Sequence, residues 1–381
     1  MSFKRSETDK RRVIIVDYNH LAHTYLHGGA ARLTHTVNIG GVNKVVDTTI
    51  PTYTIKSIFR WSNKGQNPTA VCFDSPCGCR KAYIAQQGLG IESGAGAGEY
   101  KGGRSSLDGS VFESINMTAN LLRQAGVCCY KLDNYEADDL VAACVKRAKE
   151  QYPDLPIDII CNDADLLPLV DEQVSVFYRS RKYTFAESKD IEKPHYVQVM
   201  PSNYQDLIED MSAYKNLKVP YNTLLLAKLL RGDKSDNIKG HPDIKPKLYK
   251  ELIALMQDNP NIDLSNLFRY TDPIPVCYTL DRSRVLTEDE VRKLNKGDYI
   301  VEYHGNDDYK KMIATLSEYL TDDIIEHIEK VYWGINLNTP FTTLGDRFNR
   351  FPAKIVNDIK GFSSGALQQE VSKLNIHLPI V

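Results

Sequence analysis

Five short runs organise the first ~180 residues: Val13–Val16, Ala70–Phe73, Val127–Leu132, Ile157–Cys161 and Val174–Tyr178. Each is nearly continuous in apolar residues and contains at least one β-branched residue. A strand apolar on both faces must be covered on both, which points to a parallel sheet between layers of helices. Helical patterns lie between the runs. The clearest starts at Glu136, where Ala137, Leu140, Val141, Cys144, Val145 and Ala148 recur on one helical face. The expected class is therefore α/β, with a central, mostly parallel sheet flanked by helices. After Ser180 the strands thin out and helical patterns dominate, apart from strand-like pieces such as Tyr299–Tyr303.

The runs end in carboxylates. Asp17 closes the first and Asp74 follows the second. Glu136, Asp138 and Asp139 open the helix after the third, and Asp163 and Asp165 follow the fourth. In a parallel sheet the carboxyl ends of the strands share one edge, where sites form. Each group also has a plain structural reading: acidic residues suit a first helical turn, and aspartate suits a turn after a strand. Taken together, so many like charges on one edge repel, and divalent cations relieve that repulsion. Oxygen ligands without His or Cys favour Mg²⁺, with Mn²⁺ as a substitute, over zinc. A cluster of this size has room for two ions, the arrangement that serves phosphodiester hydrolysis. No Ser-His-Asp or Cys-His arrangement competes, and no GxxxxGK[ST] loop is present.

With 47 Lys+Arg against 49 Asp+Glu, the net charge of −2 gives no global basic excess. Local excesses exist. Arg80, Lys81 and Arg104 flank the glycine-rich stretch Gly88–Gly103 and Lys101 lies near its end, with Tyr83 and Tyr100 interleaved. That stretch reads either as a passive linker or as a functional loop. Lys228 to Lys250 holds a second basic group that includes Lys239, Lys245 and Lys247. Lysine and arginine anchor phosphates and tyrosine stacks on unpaired bases, although a charge run also serves as a solvated face. The amino terminus MSFKRSETDKRR lacks an apolar stretch, and the greasiest run, Leu224–Leu230, contains Lys228. A soluble, cytoplasmic protein without a membrane span is expected. Cys72, Cys128, Cys129, Cys144 and Cys161 lie in apolar segments as small hydrophobes. Cys77 and Cys79 form a lone pair with no second ligand pair beside it.

Six motifs recur in a set order: VIIVDYNHL around Asp17, FDS at Asp74, EYKGGR from Glu99 to Arg104, EADD from Glu136 to Asp139, NDADLLPLV around Asp163 and Asp165, and GDKSDNIKG around Asp233 and Asp236. In this the chain resembles the structure-specific 5′-nuclease (flap endonuclease) superfamily over about residues 13–250. The likeness is to its phage and bacterial branch, which includes phage ribonuclease H and the 5′-nuclease domains of bacterial DNA polymerases. The resemblance implies a metal site of Asp17, Asp74, Glu136, Asp138 and Asp139, shared in part with Asp163, Asp165, Asp233 and Asp236. From spacing alone, Asp233 and Asp236 read equally as helix caps. The resemblance also implies that Lys101 and Arg104 act on the scissile phosphate from a helical arch. Arg80, Lys81, Tyr100, Lys239, Lys245 and Lys247 are then candidate nucleic-acid contacts.

The implied organisation is a nuclease core over 1–180 with an arch at about 76–120. A helical region over 181–381 follows, with a helix-hairpin-helix element at about 222–255 and a carboxy-terminal extension. The family's hairpin reads like GVPGIGPKTA, whereas this chain has Asp243 and Lys245 in place of two glycines. The implied activity is Mg²⁺-dependent 5′-3′ exonuclease or flap cleavage of DNA and RNA–DNA hybrids, as in primer or flap removal during replication. A monomer is expected, in a phage-infected host's cytoplasm if the chain is phage-encoded, with a single-strand-binding protein or sliding clamp as candidate partner. Two rivals stand beside it. One is a PIN-like ribonuclease, which would survive deletion beyond ~230. The other is a non-catalytic protein of the same fold that binds branched DNA.

Overall fold

The computed structural model describes residues 11–27, 32–39, 42–75, 80–81, 84–85, 87–91, 109–133, 135–178, 196–202, 224–233, 236–258, 274–281, 283–284, 286, 290, 300–304, 320–335 and 356–378. The first part alternates strands and helices: β1 (Val13–Asp17), α1 (Tyr18–His27), β2 (Thr34–Ile39), β3 (Val42–Asp47), α2 (Thr49–Trp61) and β4 (Thr69–Cys72). Then come α3 (Gly109–Gln124), β5 (Cys128–Tyr130), α4 (Ala137–Gln151), β6 (Ile157–Cys161), β7 (Val174–Tyr178) and β8 (Val197–Val199). The main sheet has the order β5-β4-β1-β6-β7-β8. All neighbours pair parallel except β7 with β8. The expected mostly parallel sheet is therefore present.

Period-2 alternation sends each central strand to two cores. Val13 and Ile15 of β1 join Ala70, Cys72, Ile157 and Ile159 beneath α4. Ile14 and Val16 join Val71, Ile160 and residues of α1, α2 and α3 on the other face. All five residues of β1 are buried, Asp17 among them. That is the burial a near-continuous apolar run requires. β5 is shorter than its run, because Val127 and Leu132 fall outside the paired register.

The second part holds α5 (Leu224–Arg231), a tight hairpin of β9 (Gly232–Asp233) and β10 (Ile238–Lys239), α6 (Pro246–Asp258), and a β11 (Ile274–Tyr278) and β12 (Ile300–His304) ribbon. Then come α7 (Asp322–Ile335) and α8 (Ser364–Ser372). Gly232 takes φ +73°. A Cβ there would lie 2.3 Å from the Gly240 backbone nitrogen. Both ends of GDKSDNIKG must therefore be glycine for the hairpin to close.

Two features depart from the sequence expectation. Thr34–Ile39 and Val42–Asp47 form an antiparallel ribbon in a region where no motif was recognised. Ile39 pairs with Val42, so Gly40 and Gly41 lie between them in sequence, a two-residue hairpin signal. Second, residues 356–378 do not belong to a separate helical extension. Val356 and Ile359 fill the core under α4, and Leu367, Val371, Leu374, Ile376 and Leu378 fill the other. The Thr69 amide donates to the Lys360 carbonyl at 3.1 Å, and the Tyr152 hydroxyl donates to the Ile359 carbonyl at 2.7 Å. The last part of the 76–120 segment is likewise a core helix, because Ile115, Ala119, Leu121 and Leu122 of α3 are buried. Among the described residues no helix is long and apolar enough to cross a membrane.

A chain ending at residue 355 is expected to lose cooperative folding. Each buried aliphatic removed contributes about 1.5–3 kcal/mol, and together they exceed a typical domain's margin of about 5–15 kcal/mol. Near-UV dichroism during a thermal scan checks this, and a melt like that of the full chain would contradict it. Deletion beyond ~230 therefore no longer separates a PIN-like ribonuclease from other readings, because it also strips the core.

Candidate metal centre

Counting only main-sheet strands in chain order, the sheet runs 3-2-1-4-5-6. The direction of winding reverses between β1 and β6, and a crevice opens there beyond their carboxyl ends. Asp17 is the last residue of β1, and Asp163 lies two residues past β6. The two carboxylates thus stand on either side of the switch point. Asp163 caps the 3₁₀ helix Ala164–Leu169, accepting from the Asp165 amide at 2.9 Å. Asp74, beyond β4, accepts from the Ala137 amide at 2.7 Å, at the start of α4. Its own amide donates to the Asn19 Oδ1 at 3.3 Å, which ties the end of β4 to the end of β1. Asn19 is a contributor that sequence reading missed.

Two trios of carboxylate oxygens gather here. Asp138, Asp163 and Asp165 bring one oxygen each within 4.8 Å of one another, and so do Asp165, Asp233 and Asp236. Asp165 is common to both. The hairpin of β9 and β10 supplies Asp233 from the second part of the chain. Burial, reinforced by the charges of Asp74 and Asp163, pushes Asp17 up to about 8. Burial and the Asp165 charge push Asp163 up to about 7. Carboxylates in this state hold protons that a divalent ion displaces, and the donors are all hard oxygens. The residues fit Mg²⁺ or Mn²⁺.

The signs give a pH prediction. An exposed carboxylate ionises near 4, so between about 4 and 8 the folded, metal-free protein holds protons that the unfolded chain has released. Its stability falls as pH rises through that window. The thermal midpoint gain on adding Mg²⁺ is expected to be larger at pH 8 than at pH 5.5. Equal gains at both would contradict the raised carboxylates.

Two buried cations stand against this charge. Arg80, only 3% exposed, pairs with Glu136 at 2.7 Å and with Asp139. Asp139 also accepts from the Glu136 amide at 3.0 Å, which closes the first turn of α4. Burial nevertheless raises Asp139, with Arg80 opposing. Lys228, 6% exposed, bonds Asp165 and lies 2.9 Å from Asp233. Sequence reading placed Arg80 with the nucleic-acid contacts. In the structure it is a counter-cation inside the acidic cluster, because its neighbours are buried carboxylates rather than solvent. The available signal for Lys228 was its place inside an apolar run, where a charge must find a partner.

Glu136 and Asp139 face Arg80, while Asp138 and the residues beyond β6 make the trios. Lys81 is exposed. Lys239 is half-buried in β10, and Lys245 is exposed with its Nζ donating to the Pro242 carbonyl at 2.7 Å. Lys247 is exposed and lies 3.8 Å from Glu251. Asp243 accepts through its carbonyl from the Lys245 amide at 2.8 Å. Cys72, Cys144 and Cys161 are buried as expected, whereas Cys128 and Cys129 are half-buried. Tyr83, Cys77, Cys79, Tyr100, Lys101 and Arg104 lie outside the described residues.

A doubly wound sheet with a carboxylate cluster at its switch point defines an acidic-edged α/β domain. Residues 12–196 match the family model of the 5′-3′ exonuclease N-terminal, resolvase-like domain. DNA polymerase I of Bacillus caldotenax is 31% identical over 155 residues, 41% of this chain and 15% of the polymerase. DNA polymerase I of Streptococcus pneumoniae strain R6 is 31% identical over 158 residues, again 41% and 15%. The chain thus matches about 15% of the length of these relatives. Two solved structures from bacteriophage T5 are similar over 96% of this chain. One, a protein co-crystallised with metal ions, gives a TM-score of 0.47 at 13% identity over 100% of its length. The other, a flap endonuclease variant with DNA and metal ions, gives 0.45 at 15% identity over 99%.

Proposed function

We propose that this chain is a divalent-metal-dependent 5′-nuclease that hydrolyses phosphodiester bonds of DNA and RNA–DNA hybrids. The observation that carries the proposal is the pair of carboxylate trios sharing Asp165 at the switch point of a sheet matched by the 5′-3′ exonuclease family. Asp138, Asp163 and Asp165 would hold one ion, and Asp165, Asp233 and Asp236 the other, with Asp17 and Asp74 beside them. Bound there, Mg²⁺ supplies Lewis-acid neutralisation of phosphate charge and lowers the pKa of water. The chain's own residues hold the acidic edge fixed. Asp163 is locked by its cap, and Asp74 and Asp139 are locked by the first turn of α4. Arg80 keeps Glu136 and Asp139 from repelling each other.

Duplex binding is assigned to the helix-hairpin-helix reading of about 222–255, where Lys239, Lys245 and Lys247 offer phosphate contacts. The 5′ single strand is assigned to the arch, with Lys101 and Arg104 as electrostatic stabilisers and Tyr100 as a stacking platform. Primer or flap removal in replication is the role this substrate set suggests, carried out by a monomer in the cytoplasm. A single-strand-binding protein or clamp remains the candidate partner.

The test is cleavage of end-labelled flap, nicked and RNA–DNA substrates with Mg²⁺ and with chelator, reading product length. Metal-dependent release of 5′-phosphorylated products is expected. Tight binding of flap DNA without metal-dependent cleavage of any of the three would replace the enzyme with a branched-DNA-binding protein. Lys101→Ala is expected to slow single-turnover cleavage ~10²-fold or more while binding is largely kept. An unchanged single-turnover rate would remove Lys101 from the mechanism.

A further inference from the structure

Lys228 is an unusual residue to find where it is. It lies in α5 within Leu224–Leu230, five residues before Asp233, and is 6% exposed. Its Nζ bonds carboxylate oxygens of Asp165 and Asp233, the latter at 2.9 Å. These are two of the three residues whose oxygens gather within 4.8 Å as the Asp165–Asp233–Asp236 trio. One ammonium therefore sits on two of the three carboxylates that a divalent ion in this trio would need. Two cations on the same two carboxylates repel each other. The Asp138–Asp163–Asp165 trio shares only Asp165 with this arrangement, so the two trios differ in charge compensation. Lysine suits exchange better than arginine, since its compact charge rides on a flexible stem with no fixed fork to dismantle.

We propose that Lys228 is an exchangeable internal counter-cation. It holds the Asp165–Asp233–Asp236 trio in the metal-free protein and leaves those carboxylates when the trio takes its divalent ion. That trio therefore fills second and more weakly. The inference rests on the metal-binding reading of the trio given above. It makes Lys228 a positioning residue that sets the order of loading. The competing explanation is a fixed ion pair that merely anchors α5 to the sheet. The two differ in sign. A fixed anchor, once removed, loosens Asp165 and Asp233 and weakens metal binding, whereas removal of a competitor tightens it.

The experiment is calorimetric titration of the full chain with Mn²⁺, with free ion counted by electron paramagnetic resonance, for wild type, Lys228→Gln and Lys228→Arg. Wild type is expected to show a tight and a weak class of sites. In Lys228→Gln the weak class should tighten roughly tenfold or more, and in Lys228→Arg, which keeps the charge, it should stay weak. A weak class unchanged or weaker in Lys228→Gln overturns the proposal. Wild type that takes up no Mn²⁺ at millimolar concentration would instead defeat the nuclease reading itself. If Lys228→Gln folds only with metal, the rise in its thermal midpoint per decade of Mn²⁺ is read instead. A rise steeper than wild type supports exchange, and one no steeper overturns it.

Discussion

Asp163→Asn is expected to make the metal-free protein more stable while abolishing most cleavage. Asp163 stands at the switch point with its carboxyl pushed up to about 7 by burial and by the neighbouring Asp165 charge. Asparagine keeps the shape, can still accept from the Asp165 amide, and removes one of the mutually repelling charges. At pH 8 in chelator the gain should be ~1–3 kcal/mol, read as a higher denaturant midpoint at unchanged slope. The same change removes a ligand of the first trio, so metal-dependent cleavage should fall ~10³-fold or more, with flap binding largely kept. Stability and activity then move in opposite directions, as they should where an acidic cluster is kept for function at the expense of the fold. A variant less stable than wild type in chelator would show that Asp163 serves mainly as the cap of its 3₁₀ helix. Wild-type cleavage would remove it from the site.

Arg80→Met is expected to have the opposite profile. The guanidinium is buried and joins Glu136 and Asp139 at the start of α4. Methionine fills much of the volume but removes the guanidinium that joins the two buried carboxylates. Breaking a buried pair from one side costs about 3–5 kcal/mol. The metal-free protein should therefore lose that much, and the loss should shrink as pH falls and Asp139, already raised by burial, takes up its proton. Mg²⁺ should restore part of it, because an ion can draw charge from the same edge. A loss under about 1 kcal/mol would mean that solvent reaches the pair and screens it.

The sheet and its acidic edge were legible because both are local. Runs such as Ile157–Cys161 need only a period, and Asp17 or Asp163 needs only a strand end before it. The ordered motifs then joined segments that periodicity could not, bringing Asp233 and Asp236 to Asp165. What sequence did not disclose is tertiary. Arg80 and Lys228 carry the same charge as Lys81 or Lys247, and only burial separates a counter-cation from a phosphate contact. The ribbon of β2 and β3 was marked only by Gly40 and Gly41, a short hairpin signal with no chemistry of its own. The return of residues 356–378 to the core had no motif. Its evidence is that Ile359, Leu367 and Val371 find the unfilled faces of a sheet laid down hundreds of residues earlier.

That return bears on how the fold comes into being. On a ribosome the strands from Val13 to Tyr178 emerge long before Ile359 and Leu374 exist, so the sheet waits with both layers incomplete. The closing contacts span most of the chain, and such distant pairings are late and slow because a long loop must be ordered first. Asp17 ends β1, and Asp163 and Asp165 lie just past β6, so both positions depend on strands whose packing is finished by those last residues. A nascent chain would therefore lack a rigid acidic edge until residue 378 has cleared the exit tunnel.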